Sequence, residues 1–340
     1  MLRLLCLAAI LTGGLASGPA ATQDIRAYAF ATGTTGGVYY PVGVAIEALV
    51  KALLRDRAGF ELSVQPTAGS GANIDLLRDG SASLALVQGL HARQAASGVD
   101  LPDDPRAQPD SGAALRSIAM LWPDVMHVAL REPLVQSGFV DDLSSVGAAR
   151  LSFGRRDSGS RASTVAILTN LGIEPLALDP VDVGGYDAAV TAFVEGRIDG
   201  IVMFGGIPMP AMVRLANAAG ADLRLLQFDE AEIARANGPF TDLWVPHVVP
   251  AGTYGLGADI TTLAEPNALL VRSDMPEQDV YLITRAIFEN LSFLGNMHPA
   301  ARAIAPDTAL RGMVFPLHPG ALRYFDEIGL AVPDRLRTLP

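Results

Sequence analysis

A glycine-rich turn between an apolar segment and a helical segment is the feature that most constrains how this chain folds. Residues 28–54 read YAFATGTTGGVYYPVGVAIEALVKALL, with glycines at positions 33, 36 and 37 at the break. Pro41 suits the first turn of the following helix, where its missing N–H costs nothing. A strand, a glycine turn and a helix in this order direct backbone N–H groups and the positive helix end toward one point. The stretch therefore predicts either an anion site or a tight strand-to-helix connection without a ligand.

The same unit of strand, small-residue turn and helix recurs along the chain, which predicts a parallel sheet covered by helices. Two further turns of this kind are PTAGSGAN at 66–73 and RRDSGSRAST at 155–164. In the second half we predict helices over 162–171 and 186–194. Because 340 residues exceed the size of most single cores, we expect two similar α/β lobes.

Composition restricts the class of partner. Half of the residues are hydrophobic and 18% are charged, a balance typical of a folded chain. The formal net charge of −11 argues against nucleic acid and anionic lipid as partners. A locally positive site for a small anion remains compatible with an acidic protein.

The first residues have the pattern of an export signal. Arg3 precedes the apolar run Leu4–Leu11, and small residues follow it. We predict cleavage between Gly18 and Thr22 and a periplasmic protein that is not inserted in the membrane. Cys6, the only cysteine, lies in the apolar run, so we expect a mature chain without thiol chemistry.

The motifs of common enzyme classes are missing from the sequence. The five histidines are not at metal-ligand spacing, and HExxH, GxSxG and P-loop patterns do not occur. The turn at 33–37 also lacks the spacing of the dinucleotide fingerprint. His298 and His318 each precede a proline, which favours a role in a turn or at a helix start over catalysis. We expect no catalytic residues, no metal and no cofactor.

The three turns rich in Gly, Ser and Thr favour a cleft that holds a small anionic group through neutral donors. Arg155, Arg156 and Arg161 flank the third turn. They are either charge-assisted donors to a carboxylate or solvated surface side chains.

The order and spacing of longer segments resemble the TAXI-type solute-binding proteins of tripartite ATP-independent periplasmic (TRAP) transporters. The match runs over almost the whole mature length. The segments that carry it include ATGTTGGVYYPVG, QPTAGSGANIDLLRDGSASLALVQ, GRIDG, GGIPMPA, VVPAGTY, NALLVRSDMPEQDVYLITRAIFEN and PLHPGALRYFDEIGL.

This resemblance implies a periplasmic-binding-protein type II fold, in which a hinge of crossing strands joins two α/β lobes and the ligand lies between them. We expect a signal peptide at 1–21, lobe I at 22–122 and 250–340, and lobe II at 123–249. The resemblance also implies capture of a small organic anion, either a carboxylate, a dicarboxylate or a glutamate-like amino acid. A monomer would deliver it to TRAP membrane permease subunits driven by an ion gradient.

Carried over position by position, the resemblance implies ligand-binding residues in the three turns, at one strand end and in a loop of the facing lobe. These residues are Thr34, Gly36, Gly37, Tyr39, Tyr40, Ser70, Asn73, Gln88, Ser158, Gly159, Ser160, Ser163, Gly206 and Pro208. The two tyrosines would cover the carbon chain of the ligand, although Tyr40 could equally be a core aromatic residue beneath the helix.

Three positions depart from the family pattern. Leu90 stands where relatives often have an acidic or amide residue, Asp157 opens a turn that many relatives read as GSG, and Met209 replaces a frequent Asn. Leucine cannot pair with an ammonium group. We therefore hypothesise a carboxylate ligand without an α-ammonium, such as a keto acid, a hydroxy acid or a dicarboxylate. Asp157 is the alternative source of the missing charge.

Two other functions stay open from the sequence. A related binding protein could dock a membrane histidine kinase as a ligand sensor in place of a permease. An enzyme on the same fold is the other alternative, and the lack of a nucleophile–base pair argues against it.

Overall fold

The computed structural model describes residues 25–97, 115–147, 149–178 and 180–337. Over these ranges the chain forms a nine-stranded mixed sheet with helices packed against it. The signal peptide predicted at 1–21 lies outside the described residues. No helix within the described ranges has both the length and the apolar composition that crossing a bilayer requires.

The first lobe is built from parallel strands that alternate with helices, as the repeated sequence pattern predicts. Strand β1 lies between β2 and β3 and pairs with both in parallel. The apolar positions Val42, Ile46 and Leu49 bury one face of α1, and Gly59 ends this helix with φ 70°. In chain order the elements are β1 (Arg26–Ala31), α1 (Tyr39–Ala58), β2 (Phe60–Gln65), α2 (Ser70–Arg78), β3 (Leu84–Gln88) and α3 (Gly89–Ser97).

The second lobe repeats this organisation around strand β6, which pairs in parallel with β5. Its core includes Phe153, Trp244 and Ile167. The helix predicted at 186–194 is confirmed, whereas α4 begins three residues before the predicted position, at Gly159. The elements are β5 (Leu151–Ser152), α4 (Gly159–Leu171), α5 (Tyr186–Val194), β6 (Gly200–Gly205), α6 (Pro210–Ala219), β7 (Leu223–Leu226), α7 (Glu230–Ala236) and β8 (Val245–Val249).

Two long antiparallel strands cross from one lobe to the other. They are β4 (Leu115–Arg131) and β9 (Ile260–Arg272), and they pair with each other in the middle of the sheet. One part of β9 pairs with β3 and another part with β8, while the end of β4 pairs with β6 and β7. The strand order is β2-β1-β3-β9-β4-β6-β5, with β7 beside β4 and β8 beside β9. These strands are the crossing pair that the sequence resemblance implies.

The chain ends in helices that pack mainly on the first lobe. Helix α8 contacts α1 and α10, and Phe288 of α8 makes an edge contact with the ring of Phe325 in α10. The helices are α8 (Glu277–Glu289), α9 (Leu291–Met297), α10 (Pro319–Glu327) and α11 (Asp334–Arg337). The residue boundaries given above for the two lobes stay predictions.

The two histidines before prolines stand at helix starts, as predicted. The Nδ1 atom of His298 accepts a hydrogen bond from the Ala300 N–H at 3.2 Å, and that of His318 accepts one from the Gly320 N–H at 3.2 Å. Burial lowers the pKa of both imidazoles. Both rings therefore serve as neutral helix caps.

Candidate ligand-binding site

A small cavity lies between the two lobes, where the three small-residue turns meet. Its volume is about 50 Å³. The predicted binding residues that line it are Thr34, Gly37, Tyr39, Ser70, Gln88, Ser158, Gly159 and Ser160. The structure thus brings residues of all three turns to one place, although the turns are far apart in sequence.

Other lining residues do not belong to the predicted set. They are Gly33, Val38, Ala68, Gly69, Asp124, Gly154, Arg155, Gly184, Gly185, Tyr186 and Phe204. A fourth small-residue turn, at 184–185, is the main contribution that sequence reasoning missed. Its Gly184-Gly185 pair before the confirmed helix α5 is the signal that could have identified it, because it repeats the pattern of the other three turns.

Four helices begin at the cavity wall. Helices α1, α2, α4 and α5 start at Tyr39, Ser70, Gly159 and Tyr186, and all four residues line the cavity. The residues before α1, α2 and α5 make no side-chain cap to the first helical turn. First-turn N–H groups have no partner inside a helix, and the helix dipole adds positive potential there. The cavity is therefore suited to an anion.

One of the three flanking arginines lines the cavity. Arg155 is exposed and lines the cavity, whereas Arg156 and Arg161 do not line it. Among the described residues that line the cavity, Arg155 is the only Lys or Arg. The position of Arg155 fits a charge-assisted donor to an anionic group.

Tyrosine hydroxyls from both lobes border the cavity. The Tyr39 hydroxyl donates to Oδ1 of Asn267, and the Tyr186 hydroxyl is hydrogen-bonded to Oγ of Ser160. The backbone N–H of Phe204 also donates to the Tyr186 oxygen, at 3.2 Å. Burial raises the pKa of both phenols, so they remain neutral.

Asn73 and Ser163 lie beneath the cavity wall instead of in it. The Asn73 amide donates to the backbone carbonyls of Thr32 at 2.6 Å and Leu86 at 2.7 Å, which ties the first two turns to β3. The Ser163 hydroxyl donates to Oε1 of Glu265 at 2.6 Å. Both side chains are buried and hold neighbouring segments in place.

Gly36 and Tyr40 flank the cavity without lining it. A Cβ atom at Gly36 would lie 2.6 Å from Oδ1 of Asp187 in the second lobe, so this glycine permits close contact between the lobes. Tyr40 is half-buried in the first turn of α1. Of the predicted tyrosine pair, only Tyr39 lines the cavity.

Gly206 and Pro208 lie away from the cavity. Gly206 lines a separate cavity of about 340 Å³, together with Trp122, His247 and Arg302. Pro208 follows it in the loop before α6. The GGIPMPA loop thus contacts the first turn through Ala211, but its residues Gly206 and Pro208 do not line the cavity where the three turns meet.

Two buried carboxyl groups at the cavity floor escaped the sequence reasoning. Asp124 of β4 lines the cavity, and Glu265 of β9 stands directly opposite it in the strand pairing. Each is the one acidic residue of its strand and stands next to a proline, in the segments WPDV and AEPN. An isolated acid in an apolar strand is the signal that could have identified them, because such groups are rarely buried without a partner.

The three positions that depart from the family pattern have different surroundings. The backbone N–H of buried Leu90 donates to Oε2 of Glu265 at 2.9 Å, so a carboxyl group lies next to this leucine after all. The side chain of Asp157 is exposed and does not line the cavity. Met209 is fully buried at the start of α6.

Comparison with known proteins places the chain in a family. The NMT1-like family matches residues 30–329. The chain belongs to the NMT1-like family. The match spans both lobes and the crossing strands and leaves out only those described residues that lie before 30, at the start of β1, or after 329.

Solved structures show the same fold at low sequence identity. PhnD1 from Prochlorococcus marinus, in complex with methylphosphonate, has a TM-score of 0.52 at 13% identity, over 90% of this chain and 99% of that one. A binding protein component of an ABC phosphonate transporter from Pseudomonas aeruginosa has a TM-score of 0.52 at 10% identity, over 83% and 80%. This NMT1-like protein therefore has the type II periplasmic-binding-protein fold.

Within the described ranges, no group of three or more His, Cys, Asp or Glu side chains is placed to hold a metal ion. The donors that converge on the cavity are N–H groups, hydroxyls and one guanidinium. Such a set is suited to holding an organic anion.

Proposed function

We propose that this NMT1-like protein is an extracytoplasmic receptor that captures a small organic anion between its lobes. The observation that carries the proposal is the convergence of four helix N-termini and Arg155 on one cavity. Positive helix ends and a guanidinium stabilise a carboxylate. They favour an anion at the cavity although the net charge of the chain is negative.

The volume of the cavity supports a ligand of few atoms. A cavity must offer at least about 10–15 Å³ for each water-sized group. The observed volume of about 50 Å³ exceeds this threshold several-fold and is small for a ligand of many atoms. A carboxylate on a short carbon chain meets this limit, and a nucleotide or a peptide does not.

Closure of the lobes would retain the ligand. The N–H of Ala211 in the second lobe donates to the carbonyl of Gly36 in the first at 3.2 Å, and the Thr35 hydroxyl donates to Oδ2 of Asp187 at 3.2 Å. A ligand that touches both lobes stabilises the arrangement in which these contacts exist. The closed form is then the state that a membrane partner recognises.

Within this function we propose delivery to a TRAP-type permease driven by an ion gradient, after export by the signal peptide at 1–21. The TAXI-like segments of the sequence support this partner. A phosphonate-binding protein with the same fold is a component of an ABC transporter, a transporter class other than the one proposed here. The sensor of a histidine kinase and an enzyme on this fold are the alternatives.

A thermal-shift screen with small organic acids tests the receptor function. A ligand that binds only the folded state must raise the unfolding midpoint in proportion to the logarithm of its concentration. We expect one or more short carboxylates to do so. Failure of every acid in the screen, with amino acids and phosphonates included, would contradict the proposal.

The variant pair Arg155→Gln and Arg156→Gln provides a matched control for the screen. Both remove one exposed positive charge from the same turn, but only Arg155 lines the cavity. We expect Arg155→Gln to weaken binding of the best acid by about tenfold, the effect of one charge-assisted hydrogen bond. Arg156→Gln should leave the affinity almost unchanged. Equal losses in both variants would mean that general charge, and not the cavity, binds the acid.

Incubation of the best acid with purified protein separates a receptor from an enzyme, since a receptor returns the acid unchanged.

Reconstitution with candidate membrane subunits distinguishes a permease partner from a histidine kinase partner. Uptake that requires an ion gradient supports the permease, and ligand-dependent phosphorylation of a kinase supports the sensor.

A further inference from the structure

Asp124 and Glu265 form a buried acidic pair on the crossing strands. They stand directly opposite each other in the antiparallel pairing of β4 and β9, a geometry that places two side chains on the same face of the sheet. Asp124 is 2% exposed and Glu265 is 1% exposed. Among the described residues, no Lys, Arg or His nitrogen lies within 4.0 Å of either carboxyl group.

The surroundings of Glu265 favour an ionised carboxylate. Its oxygens accept hydrogen bonds from the Ser163 hydroxyl at 2.6 Å, the Leu90 N–H at 2.9 Å and the Gln88 amide at 3.2 Å. Several donors directed at one carboxylate stabilise its negative charge. These donors offset part of the cost of burial, which raises the pKa of Glu265 to about 7.

The surroundings of Asp124 are different. Its Oδ1 atom is buried and has no hydrogen-bond partner. Burial and the nearby charge of Glu265 raise the pKa of Asp124 well above its usual value, and the amides of Asn267 and Gln88 only partly oppose this effect. Two ionised carboxyl groups on paired residues inside a protein are strongly unfavourable. Because Glu265 has the hydrogen-bond donors and the Oδ1 atom of Asp124 has none, the proton resides on Asp124.

Other titratable groups also lie around Asp124. Tyr39 approaches from α1 and Tyr186 from α5, and both are buried phenols that stay neutral. Glu265 faces Asp124 from β9. Arg155, in the turn before α4, is exposed at the cavity wall. Burial, and after it the charge of Glu265, therefore keep Asp124 protonated.

We propose that Asp124 is a neutral carboxylic acid whose O–H donates a hydrogen bond to the bound solute, which makes it a specificity-determining residue. This inference rests on the proposed receptor function and extends it. The helix N-termini and Arg155 hold the charged end of the solute, and Asp124 requires a hydrogen-bond acceptor at the floor. A keto, hydroxyl or second carboxylate oxygen satisfies Asp124, whereas an ammonium group has no lone pair to offer.

Pyruvate and L-alanine are matched probes, because they are similar in size and differ in the keto oxygen and the ammonium group. We expect the wild-type protein to bind pyruvate at least about tenfold more tightly than alanine, because alanine leaves the Asp124 donor unsatisfied. Tighter binding of alanine would overturn the inference. If neither these probes nor any acid of the thermal-shift screen binds, the receptor function itself fails.

Two substitutions at Asp124 separate a neutral donor from a charged acceptor. Asp124→Leu removes the donor and should weaken pyruvate binding about tenfold. Asp124→Asn offers an amide donor and should recover most of that loss. In the wild-type protein, alkaline pH should ionise Asp124 and weaken pyruvate binding. The Asp124→Asn variant should not show this weakening. An Asn variant as weak as the Leu variant would overturn the inference.

Infrared difference spectroscopy tests the protonation state without any ligand. At a slightly alkaline pH, above the pKa of about 7 of Glu265, we expect a protonated-carboxyl band in the wild-type protein that Asp124→Asn lacks. Absence of the band would show that Asp124 is ionised and would overturn the inference, whatever the outcome for the receptor function.

Discussion

Gly159 of α4 lies against the side chain of Gln88 at the end of β3, and the two residues belong to opposite lobes. A Cβ atom at Gly159 would overlap Oε1 of Gln88 and lie 2.6 Å from Oγ of Ser70. Gln88 is not free to move aside, because its amide donates to Glu265 and its N–H to Ser70. Only glycine permits the lobes to approach this closely at the cavity.

The substitution Gly159→Ala should prevent full closure. We expect the affinity for the best organic acid to fall at least about tenfold, which corresponds to about 1.4 kcal/mol, with a small change in the unfolding midpoint. Isothermal titration calorimetry measures the affinity. Gly257→Ala is the matched control, because a Cβ there meets nothing within 4 Å. Unchanged affinity in Gly159→Ala would mean that the solute binds without this contact.

The substitution Gly37→Val should fill part of the cavity. A Cβ at this position lies 3.4 Å from the Thr34 carbonyl and 3.4 Å from Cε2 of Tyr186, so one carbon fits and the two methyl groups extend into the space for the solute. We expect binding to be lost while the thermal midpoint stays within a few degrees of wild type. Binding that survives in calorimetry would show that the first turn does not contact the solute.

Sequence pattern predicted the parts of this fold that local chemistry determines. The apolar period and the glycines define each strand, turn and helix over a few residues, and α5 therefore begins at Tyr186 and ends at Val194 as predicted. Helix α4 begins earlier than its apolar period indicates, because the Ser158 hydroxyl accepts from the Arg161 N–H and caps it. Three of the four turns around the cavity were identified in this way.

The acidic floor of the cavity could not be predicted in the same way. Asp124 and Glu265 meet because β4 and β9 pair across the hinge, and no local pattern fixes which residues of distant strands oppose each other. The family resemblance implies a ligand-binding role for Ser163, but one helical turn beyond the N-terminus of α4 its hydroxyl donates to Glu265. Side-chain direction depends on the assembled lobes.

Asp142 is expected to stabilise the second lobe at neutral pH. Its buried carboxylate accepts hydrogen bonds from the Ser137 hydroxyl and from the N–H groups of Gln136, Ser137 and Gly138. Burial by itself raises the pKa of Asp142, but these donors together keep it below the usual value. Because folding lowers the pKa of Asp142, its carboxylate stabilises the fold at pH values above the ordinary pKa. This contribution is lost as pH falls. We expect Asp142→Asn to lower the free energy of unfolding at neutral pH by about 1–3 kcal/mol.

Urea denaturation at neutral and at acidic pH measures this effect, and the difference between Asp142→Asn and wild type should shrink toward acidic pH. The neighbouring Asp141→Asn is the control, because the side chain of Asp141 is exposed. A loss in Asp141→Asn equal to that in Asp142→Asn would assign the effect to the general charge of the segment.

Glu265 should give the opposite dependence on pH. Its pKa rises from 4.5 to about 7 on folding, so in this window the folded protein binds more protons than the unfolded chain. The free energy of unfolding contributed by Glu265 then falls as pH increases, by at most about 3 kcal/mol. The Glu265→Gln variant lacks this contribution. Its free energy of unfolding relative to that of the wild type should therefore rise as pH increases from 4.5 to about 7.

Urea denaturation of both proteins at several pH values measures the relative stability of the Glu265→Gln variant. The buried His127, whose pKa is lowered to about 4, contributes a slope of opposite sign in both proteins and cancels from the difference. In the Glu265→Gln variant, buried Asp124 no longer lies near the charge of Glu265. The free energy of unfolding of the variant therefore depends even less on pH. Parallel curves for wild type and variant would show that Glu265 titrates as an ordinary carboxyl group. Glu265 would then be ionised throughout this window.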